Sequence, residues 1–279
     1  MGEIKHLSPE EFRKMQLLQL DMVSELDRVC RKYDINYTIS CGTLLGAVRH
    51  KGYIPWDDDA DITMLREDYE KFKQHIDELN PEICFFQDHD TDPEYLWQYG
   101  KLRRTGTKFV RVGQEHIKCK TGVAIDIFPL DDVPRSVAGQ VLQDFDCFIL
   151  RKILYARVGV KNSKGFSKLV YWLLCRIPVS YVYKRVDWYA KKSSNSSINR
   201  VRLLLFTSFG KLYVKNPIRK RYGMPKRWFL KRAESEFEGR KFYGIKSYDE
   251  FLTWMYRDYM TLPPEEKRVQ HAPVSDYEF

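Results

Sequence analysis

The stretch GYIPWDDDADITM, residues 52–64, holds four carboxylates within the five residues Asp57 to Asp61. Like charges at this spacing repel one another, so a folded chain tolerates them where a cation lies among them. Residues i and i+2 of a strand point to one face, so Asp59 and Asp61 are predicted to aim together. Asp57 can reach the same side if the strand begins that early. Aligned carboxylates suit Mg²⁺ or Mn²⁺, which bind through carboxylates and substrate phosphates, so the pattern predicts a divalent metal site.

Two other interpretations of the acids need weighing. A calcium loop starting at Asp57 fails, because Ile62 stands where glycine is required and Asp68 replaces the final glutamate. A solvated acidic turn is the usual outcome for a charge cluster. The apolar continuation ITML argues against it, as does the single acid Asp126 in the apolar run GVAIDIFPLDD. Burying a carboxylate without a partner is costly, so Asp126 is predicted to be the third acid of the site.

Groups that could bind phosphate precede and follow the acids. In SCGTLLGAVRH, a glycine turn leads into a helix N-terminus, where backbone N–H groups and the Thr43 hydroxyl are predicted to cradle phosphate. Three further groups, Arg49, His50 and Lys51, add positive charge. In the predicted strand GKLRR, Lys101 and Arg103 alternate to one face, where they neutralise a phosphate or form a solvated strand edge.

The composition is that of an ordered globular protein. The 279 residues are 43% hydrophobic and 14% aromatic, without internal repeats. The polar N-terminus lacks the apolar stretch of a secretory signal, and no run of apolar residues is long enough to span a membrane, so we expect a soluble cytoplasmic protein. The scattered cysteines fit a reducing compartment. A zinc site at His116 and Cys119 is disfavoured, because no second ligand pair accompanies them.

The periodicity predicts an α+β (mixed α/β) fold. Residues 9–33 read as an amphipathic helix with a capping box at Ser8, residues 35–40 as a strand and residues 66–79 as a helix. YLWQYGKLRR and TKFVRV read as strands joined by a turn, and residues 137–192 as mostly helical, with breaks at VGVKNSKG and Pro178. The range 136–279 is predicted to hold a helical, basic region and a C-terminal segment that packs back on the core. We expect a catalytic core over 1–135 and one continuous domain overall.

The order of these motifs resembles the nucleotidyltransferase fold: a glycine turn, a strand with D-x-D, and a distant single aspartate. More closely, GTLLGAVRHKGYIPWDDDADI is similar to the LicD family of phosphorylcholine transferases, relatives of fukutin and fukutin-related protein. The segments GVAIDIFPLDD and DYMTLPPEEKRVQH match the same family. The resemblance reaches both ends of the chain and is weakest in its basic middle.

The resemblance implies transfer of a phospho-alcohol, usually phosphocholine, from a CDP-activated donor to a sugar hydroxyl of a cell-surface glycan such as teichoic acid, lipopolysaccharide or capsule, with release of CMP. Asp59 and Asp61 would hold Mg²⁺ or Mn²⁺ on the diphosphate, and Asp126 would ligate a metal or take the acceptor proton. The residues expected to bind substrate are Gly42, Thr43, Arg49, His50, Lys51, Asp57, Lys101, Arg103 and His271.

The chain departs from the family pattern at two positions. Ala60 stands where isoleucine is common, which is harmless if the side chain faces the core. Ala272 follows His271 where a second histidine is common, which puts the role of His271 in doubt. Asp58 matches the motif but has the wrong parity for the metal, and is expected to cap or to pair with a base.

Several functions remain open on the sequence. A different CDP-linked alcohol, such as ribitol or glycerol phosphate, is one alternative, and a true nucleotidyltransferase acting on a small molecule is another. A choline pocket should contain aromatic rings, for which Trp56, Trp97 and Tyr99 are candidates. A nucleic-acid partner is not expected, because no nucleic-acid-binding motif accompanies the predicted pI of 9.1.

The basic charge is concentrated in residues 151–192, which contain eleven Lys or Arg and one acid, Asp187. Their net charge of +10 exceeds the +9 of the whole chain, so the other residues sum to −1. An amphipathic helix pair with a solvated basic face explains this. A surface that meets anionic lipid explains it too, and would place the enzyme peripherally on the inner face of a membrane, beside a lipid-linked glycan. A phosphate-rich polymer acceptor is the third explanation.

Overall fold

The computed structural model describes residues 3–194, 198–206, 222–269 and 273–279. Its strands are β1 Thr38–Ile39, β2 Asp61–Leu65, β3 Cys84–Gln87, β4 Gly100–Arg104, β5 Lys108–Arg111, β6 Ala124–Asp132, β7 Arg200–Arg202, β8 Met224–Pro225, β9 Arg232–Phe237, β10 Arg240–Ile245 and β11 Val274–Glu278. Its α-helices are α1 Pro9–Lys32, α2 Cys41–His50, α3 Arg66–Lys73, α4 Val137–Asn162, α5 Gly165–Leu174, α6 Val179–Ser193, α7 Arg227–Leu230 and α8 Tyr248–Tyr256.

The central sheet has the strand order β3-β4-β6-β2-β1-β10-β9, with β7 and β8 continuing from β6. The pairs β2–β6 and β1–β10 are parallel and the other pairs are antiparallel. Strand β6 therefore lies between β4 and β2, at the middle of the sheet, where its apolar residues are buried. Helices flank this mixed sheet, and the α+β prediction is confirmed.

Helix α1 begins at the predicted capping box. The Ser8 hydroxyl accepts from the Glu11 N–H at 3.2 Å, and the Glu11 carboxylate accepts from the Ser8 N–H at 2.8 Å. These two bonds satisfy donors that have no partner within the helix. The apolar positions then recur at helical spacing and bury one face, with Met22 and Leu26 fully inside the core. This face packs α1 next to strands β4 and β6, which carry part of the candidate site.

The structure shortens or re-pairs several predicted elements. The strand expected over 35–40 is limited to β1, and the helix expected over 66–79 ends with α3 and is followed by a 3₁₀ turn at Ile76–Glu78. Strands β4 and β5 do not pair with each other. Both edges of β4 are occupied by β3 and β6, so β5 pairs instead with the C-terminal strand β11.

Residues on both sides of position 135 build the sheet. Strand β10 pairs with β1 at Ile39 and Gly244, and the β9–β10 hairpin turns at Glu238–Gly239. The Glu238 carboxylate accepts two hydrogen bonds from Arg13 of α1, at 3.0 and 2.5 Å. The C-terminal part of the chain is therefore joined to the N-terminal part by both strand pairing and a charged contact.

The basic segment forms three helices rather than the expected pair. The predicted break at VGVKNSKG is confined to a short connection after Asn162, because the VGV residues continue helix α4. A second apolar cluster joins α4 and α6, around Leu150, Ile153 and Val182. Within the described residues, no helix combines the length and hydropathy that a membrane span requires.

Candidate active site

The predicted acids lie in one row across the centre of the sheet. Asp61 of β2 is in register with Asp126 of β6, and Asp126 is in register with Lys101 of β4. Directly paired residues point to the same face, so the two carboxylates and the ammonium group lie side by side. Lys101 forms an ion pair with Asp126 and donates a hydrogen bond to it. Asp61 and Asp126 are far apart in the sequence but adjacent in space, because β2 and β6 are neighbouring parallel strands.

The other acids occupy the segment just before β2, which we call the acid loop, residues 57–60. Carboxylate oxygens of Asp57, Asp58 and Asp59 lie within 4.8 Å of one another. The main-chain N–H of Asp126 donates to the Ala60 carbonyl at 2.9 Å, which extends the β2–β6 pairing into the loop. The strand begins only at Asp61, so the loop, and not strand parity, keeps Asp57, Asp58 and Asp59 together. Asp59 and Asp61 lie close enough to Asp126 for its charge to raise their pKa values.

Helix α2 begins against the acid loop. A Cβ atom built at Gly42 would lie 2.5 Å from an Asp57 carboxylate oxygen, so a larger residue there would displace this carboxylate. The Thr43 hydroxyl accepts a hydrogen bond from the Asp61 N–H at 2.8 Å, and its side chain is buried. Both predicted phosphate-binding residues thus contact the acid segment directly. Their role toward phosphate stays a prediction.

Two glutamines of α1 hold the acid loop from behind. Gln16 Nε2 donates to the Asp57 carbonyl at 3.0 Å, and Gln19 Nε2 donates to the Asp58 carbonyl at 2.9 Å. Gln19 also donates to the Ala124 carbonyl of β6 at 3.2 Å. Both side chains are buried. These amides fix the loop against the strand that carries Asp126. Sequence reasoning missed them, because they read as ordinary polar positions in an amphipathic helix.

Crowding raises the pKa values of the carboxylates. Burial, then the charges of Asp59 and Asp58, raises the pKa of Asp57 to about 8. Burial, then Asp126 and Asp58, also raises the pKa of Asp59, against the opposing effect of Arg111 and Lys101. The pKa of Asp61 is raised well above its usual value by burial and by Asp59, Asp126 and Asp57. The cluster thus holds more negative charge than its neighbouring cations neutralise.

A cleft opens over this row of charges. The cleft is lined by Asp58, Asp59, Lys101, Arg103 and Asp126, together with Trp97, Tyr99 and Arg111. Burial and the charges of Arg103 and Arg111 lower the pKa of Lys101, against the attraction of Asp126. The cleft therefore contains both acids and cations, a combination that suits a phosphate-bearing ligand bound together with a divalent cation.

Arg111 is a cleft residue that the sequence did not single out. It ends strand β5, and its side chain lines the cleft. Burial acts to lower its pKa, but the charges of Asp126, Tyr99, Asp58 and Asp59 outweigh it and raise the pKa. Arg111 is thus a base whose charge interacts with Asp58, which is expected from the sequence to cap or to pair with a base. The lone signal in the sequence is a basic residue at a strand end, which is too common to be informative.

Arg103 and Tyr256 border the site in different ways. Arg103 shares the predicted strand face with Lys101, yet its guanidinium donates to Gln87 at 2.7 Å and to the Gly122 carbonyl at 2.8 Å. Tyr256 lies at the end of α8. Burial raises its pKa, and the charges of Cys41, Asp61, Asp57 and Asp59 raise it further. Tyr256 was not predicted from the sequence.

The remaining predicted residues are not brought to the carboxylates. The Arg49 guanidinium donates to the Tyr259 carbonyl at 2.7 Å. At the C-terminal end of α2, His50 meets the edge of Trp56 at 6.3 Å, and Lys51 caps the helix in a left-handed conformation. A helix of ten residues separates these groups from the acid loop, which sequence proximity does not reveal. His271 lies outside the described residues.

A second carboxylate cluster gives a useful contrast. Asp88, His89 and Asp90 also bring potential ligand atoms within 4.8 Å of one another. Here Lys73 lies 2.5 Å from both carboxylates, and the His89 ring stacks on Tyr183 at 3.9 Å. The charge of this cluster is met by a side chain of the protein itself.

Comparison with known proteins identifies the family. Residues 34–148 match the family model described as LicD/FKTN/FKRP, nucleotidyltransferase domain. Over 275 residues the chain is 30% identical to the lipopolysaccharide cholinephosphotransferase LicD of Haemophilus influenzae, covering 93% of this chain and 95% of that protein. The chain belongs to the LicD family. It is a LicD-type phosphotransferase, which confirms the family and enzyme class expected from the sequence.

Two further relatives match short segments. An uncharacterized protein of Rickettsia typhi is 42% identical over 73 residues, 26% of this chain and 23% of that protein. Another, from Rickettsia prowazekii, is 38% identical over 83 residues, 28% of this chain and 30% of that protein. The LicD family match contains the acid loop, Asp126, Lys101 and Arg111. It does not contain Gln16, Gln19 or Tyr256, which complete the site from outside it.

The donor set fits a divalent cation. The side chains that converge are mainly carboxylates, whose hard oxygen atoms suit Mg²⁺ and Mn²⁺. The Cys41 thiol also lies near these acids, but burial and the charge of Asp61 raise its pKa well above the usual value, which disfavours the thiolate that would bind a metal. Their raised pKa values reflect negative charge without sufficient compensation, which a bound cation relieves. Asp59, Asp61 and Asp126 thus remain the predicted ligands, with Asp57 beside them.

Proposed function

We propose that this LicD-family protein transfers phosphocholine from CDP-choline to a sugar hydroxyl of a cell-surface glycan, with release of CMP. The nearly full-length similarity to a lipopolysaccharide cholinephosphotransferase supports the transferred group and the glycan acceptor. The observation that carries the proposal is the row of Asp61, Asp126 and Lys101 across three adjacent strands, with Asp59 beside it. This row puts carboxylates and the Lys101 ammonium group at one place, as transfer from a diphosphate requires.

The reaction forms a bond from the acceptor oxygen to the phosphorus that carries choline, and breaks the bond from that phosphorus to the bridging oxygen of the diphosphate. The electron pair leaves on CMP, and the acceptor hydroxyl loses its proton. Asp59 and Asp61 would hold a divalent ion, which would supply charge neutralisation at the diphosphate. Asp126 either completes this ligand set or accepts the proton. The substitution Asp126→Asn separates these two roles.

The cations of the cleft are placed to receive the leaving phosphate. Lys101 is buried beside Asp126, and Arg111, on strand β5, lines the same cleft. Phosphoryl transfer depends chiefly on positioning and on neutralising the charge that develops. In this proposal the Lys101 ammonium turns from Asp126 toward the phosphate when the donor binds. The Arg103 guanidinium stays hydrogen-bonded to Gln87 and to the Gly122 carbonyl, and it supports the site from that position.

Choline recognition is assigned to two of the three predicted aromatic residues. Trp97 and Tyr99 line the cleft beside Asp59, and Lys101 already lies over the Tyr99 ring at 5.2 Å, a cation–π geometry. Trp56 is less suitable, because it is not among the residues that line this cleft. A quaternary ammonium bound against Trp97 would lie next to the acids that hold the diphosphate.

The deciding experiment incubates the protein with Mg²⁺, a glycan acceptor and CDP-choline, CDP-ribitol or CDP-glycerol, and follows CMP. Phosphocholine transfer requires CMP release with CDP-choline that depends on acceptor and ends when EDTA is added. Preference for a CDP-polyol would overturn choline as the alcohol but keep the mechanism. Pyrophosphate release from CTP or another nucleoside triphosphate, without CMP release from any CDP-alcohol, would instead establish a true nucleotidyltransferase.

A further inference from the structure

Helix α5 exposes an apolar face that the fold does not use. None of its ten residues is buried. Phe166, Leu169, Trp172 and Leu173 are exposed by 79, 50, 46 and 51%. Their spacing of three, three and one puts them on one side of the helix. Side chains of this size on one continuous helix face mark an interaction surface, because isolated apolar residues do not line up in this way.

The opposite side of α5 is fixed to the protein. A Cβ atom built at Gly159 of α4 would lie 2.7 Å from the Tyr171 ring, so the glycine lets this ring pack closely against α4. The Tyr171 ring also meets Tyr155 edge-on at 5.6 Å. The helix is therefore anchored through Tyr171, and the apolar face is held outward.

Cations surround this outward face. Lys161, Lys164 and Lys168 are exposed just before and within α5. Beyond its end, the Arg176 guanidinium lies over the Trp172 ring at 3.3 Å. On helix α6, which follows α5 along the chain, Trp188 lies between Arg185 and Lys192, at 4.3 and 4.2 Å. Aromatic rings with cations at their edges are typical of helices that lie in the interface of a membrane.

We infer that α5 and its rim of lysines form a membrane-binding face that docks on a surface containing anionic lipid. The occupant must offer both negative charge and hydrocarbon. A phosphate-rich polymer offers the charge but nothing that buries Phe166 and Leu173. A second copy of the chain would bring a like-charged rim, because residues 151–192 carry eleven Lys or Arg against one acid. An anionic lipid surface satisfies both demands.

The membrane-binding face is connected to the catalytic cleft. Tyr155, which contacts Tyr171 of α5, lines a pocket with Arg151, Trp97 and Tyr99, and the last two also line the cleft. Membrane binding does not depend on the proposed function. Its consequence does: if the acceptor glycan is lipid-linked, docking through α5 brings the cleft to the acceptor.

The test measures sedimentation of the full chain with vesicles of phosphatidylcholine and phosphatidylglycerol, and with vesicles of phosphatidylcholine alone. We expect binding to the anionic vesicles, weakened by raised salt, since the charges act through solvent. Each lysine near such a surface strengthens binding about fivefold (about 1 kcal/mol). No binding to the anionic vesicles at low salt would overturn the inference.

Two sets of variants locate the surface. Phe166→Ser, Leu169→Ser and Leu173→Ser together are expected to reduce partitioning at least about tenfold, since binding scales with buried apolar area. Their control is Leu230→Ser with Met260→Ser and Val269→Ser, residues that are also exposed but lie on other elements. Reversing Lys161, Lys164 and Lys168 to Glu is compared with reversing Lys231, Lys246 and Lys267, which changes the net charge equally.

The outcomes separate the occupants. Loss in both α5 sets with binding retained in both controls supports the membrane-binding face. Equal loss in the two lysine sets would indicate general attraction of a basic protein. Loss in the lysine set with unchanged binding of the apolar set would indicate a polyanion surface. Either result overturns the inference. Hydrogen exchange of the unmodified protein gives an independent measurement, in which protection over 165–174 must rise on anionic vesicles.

Discussion

The side-chain amide of Gln19 hydrogen-bonds the main-chain carbonyl of Asp58, with Nε2 and the oxygen 2.9 Å apart. The same nitrogen donates to the Ala124 carbonyl at 3.2 Å. One buried, neutral group of helix α1 thus couples the acid loop to strand β6. A neutral amide does this without changing the charge of the cluster. A lysine or a carboxylate in that place would change it.

Substituting Gln19→Leu is expected to weaken both stability and metal use. The change leaves two carbonyls without their donor, which costs about 1–3 kcal/mol of unfolding free energy. Because the loop is no longer fixed against β6, the Mg²⁺ concentration for half-maximal CMP release should rise severalfold. Gln140→Leu is the control: its amide donates to the Pro134 carbonyl at 2.9 Å, away from the site. An unchanged Mg²⁺ requirement in Gln19→Leu would contradict the positioning role.

The acids were predictable from the sequence because their pattern is local. The i, i+2 spacing of Asp59 and Asp61 in front of an apolar strand already implies a shared face. Asp126 could be added because a lone acid in an apolar run needs a partner. The resemblance to the LicD family strengthened both predictions. What the sequence did not contain was the register that brings Asp61 and Asp126 side by side.

The rest of the site depends on tertiary packing. Arg111 reaches the cleft because β5 leaves β4 and pairs with β11, which no local signal near residue 111 predicts. Gln16 and Gln19 occupy core-facing positions that helical periodicity normally assigns to apolar residues. Arg49 was placed near the phosphate because it follows Gly42 closely in sequence, whereas most of helix α2 lies between them.

Asp59→Asn and Asp61→Asn are each expected to abolish transfer without unfolding the protein. CMP release should fall more than tenfold, a loss above about 1.4 kcal/mol. In EDTA the thermal midpoint should equal or exceed that of the unmodified protein, since each change removes one of several carboxylates that repel one another. The control is Asp90→Asn, in the cluster that Lys73 neutralises, which should retain activity. Residual activity above a tenth would refute the metal assignment.

Asp126→Asn distinguishes the base from the metal ligand. If Asp126 takes the acceptor proton, turnover falls far more than donor binding, and the Mg²⁺ dependence of CDP-choline binding stays as before. A metal ligand instead raises the required Mg²⁺ concentration as well. Equal losses in turnover and donor binding, with a lowered thermal midpoint, would indicate a structural carboxylate. Titration calorimetry of donor binding, set beside steady-state rates, makes the comparison.

Lys101→Met tests whether this lysine compensates the acids when no metal is bound. The change leaves Asp126 buried without its cation, and breaking one partner of a buried pair costs about 3–5 kcal/mol. We therefore expect a large fall of the thermal midpoint in EDTA, and partial recovery when Mg²⁺ is added. Lys73→Met is the control, because its carboxylate partners lie in the second cluster and its loss should not be rescued by Mg²⁺. A deficit of Lys101→Met that Mg²⁺ leaves unchanged would count against the assignment.

Thr43→Val asks what the Thr43 hydroxyl does, since it accepts a hydrogen bond from the Asp61 N–H at 2.8 Å and is also a predicted phosphate ligand. Valine keeps the shape but leaves that N–H without its acceptor, at a cost of about 1–3 kcal/mol. Thr43→Ser retains the hydroxyl and is the matched control.

If the hydroxyl only orients Asp61, Thr43→Val lowers the thermal midpoint and weakens Mg²⁺ activation, while the affinity for metal-free CDP-choline is unchanged. If it also binds phosphate, that affinity falls too, because the hydroxyl can donate to the donor while it accepts from Asp61. Wild-type stability and kinetics in Thr43→Val would show that neither role matters.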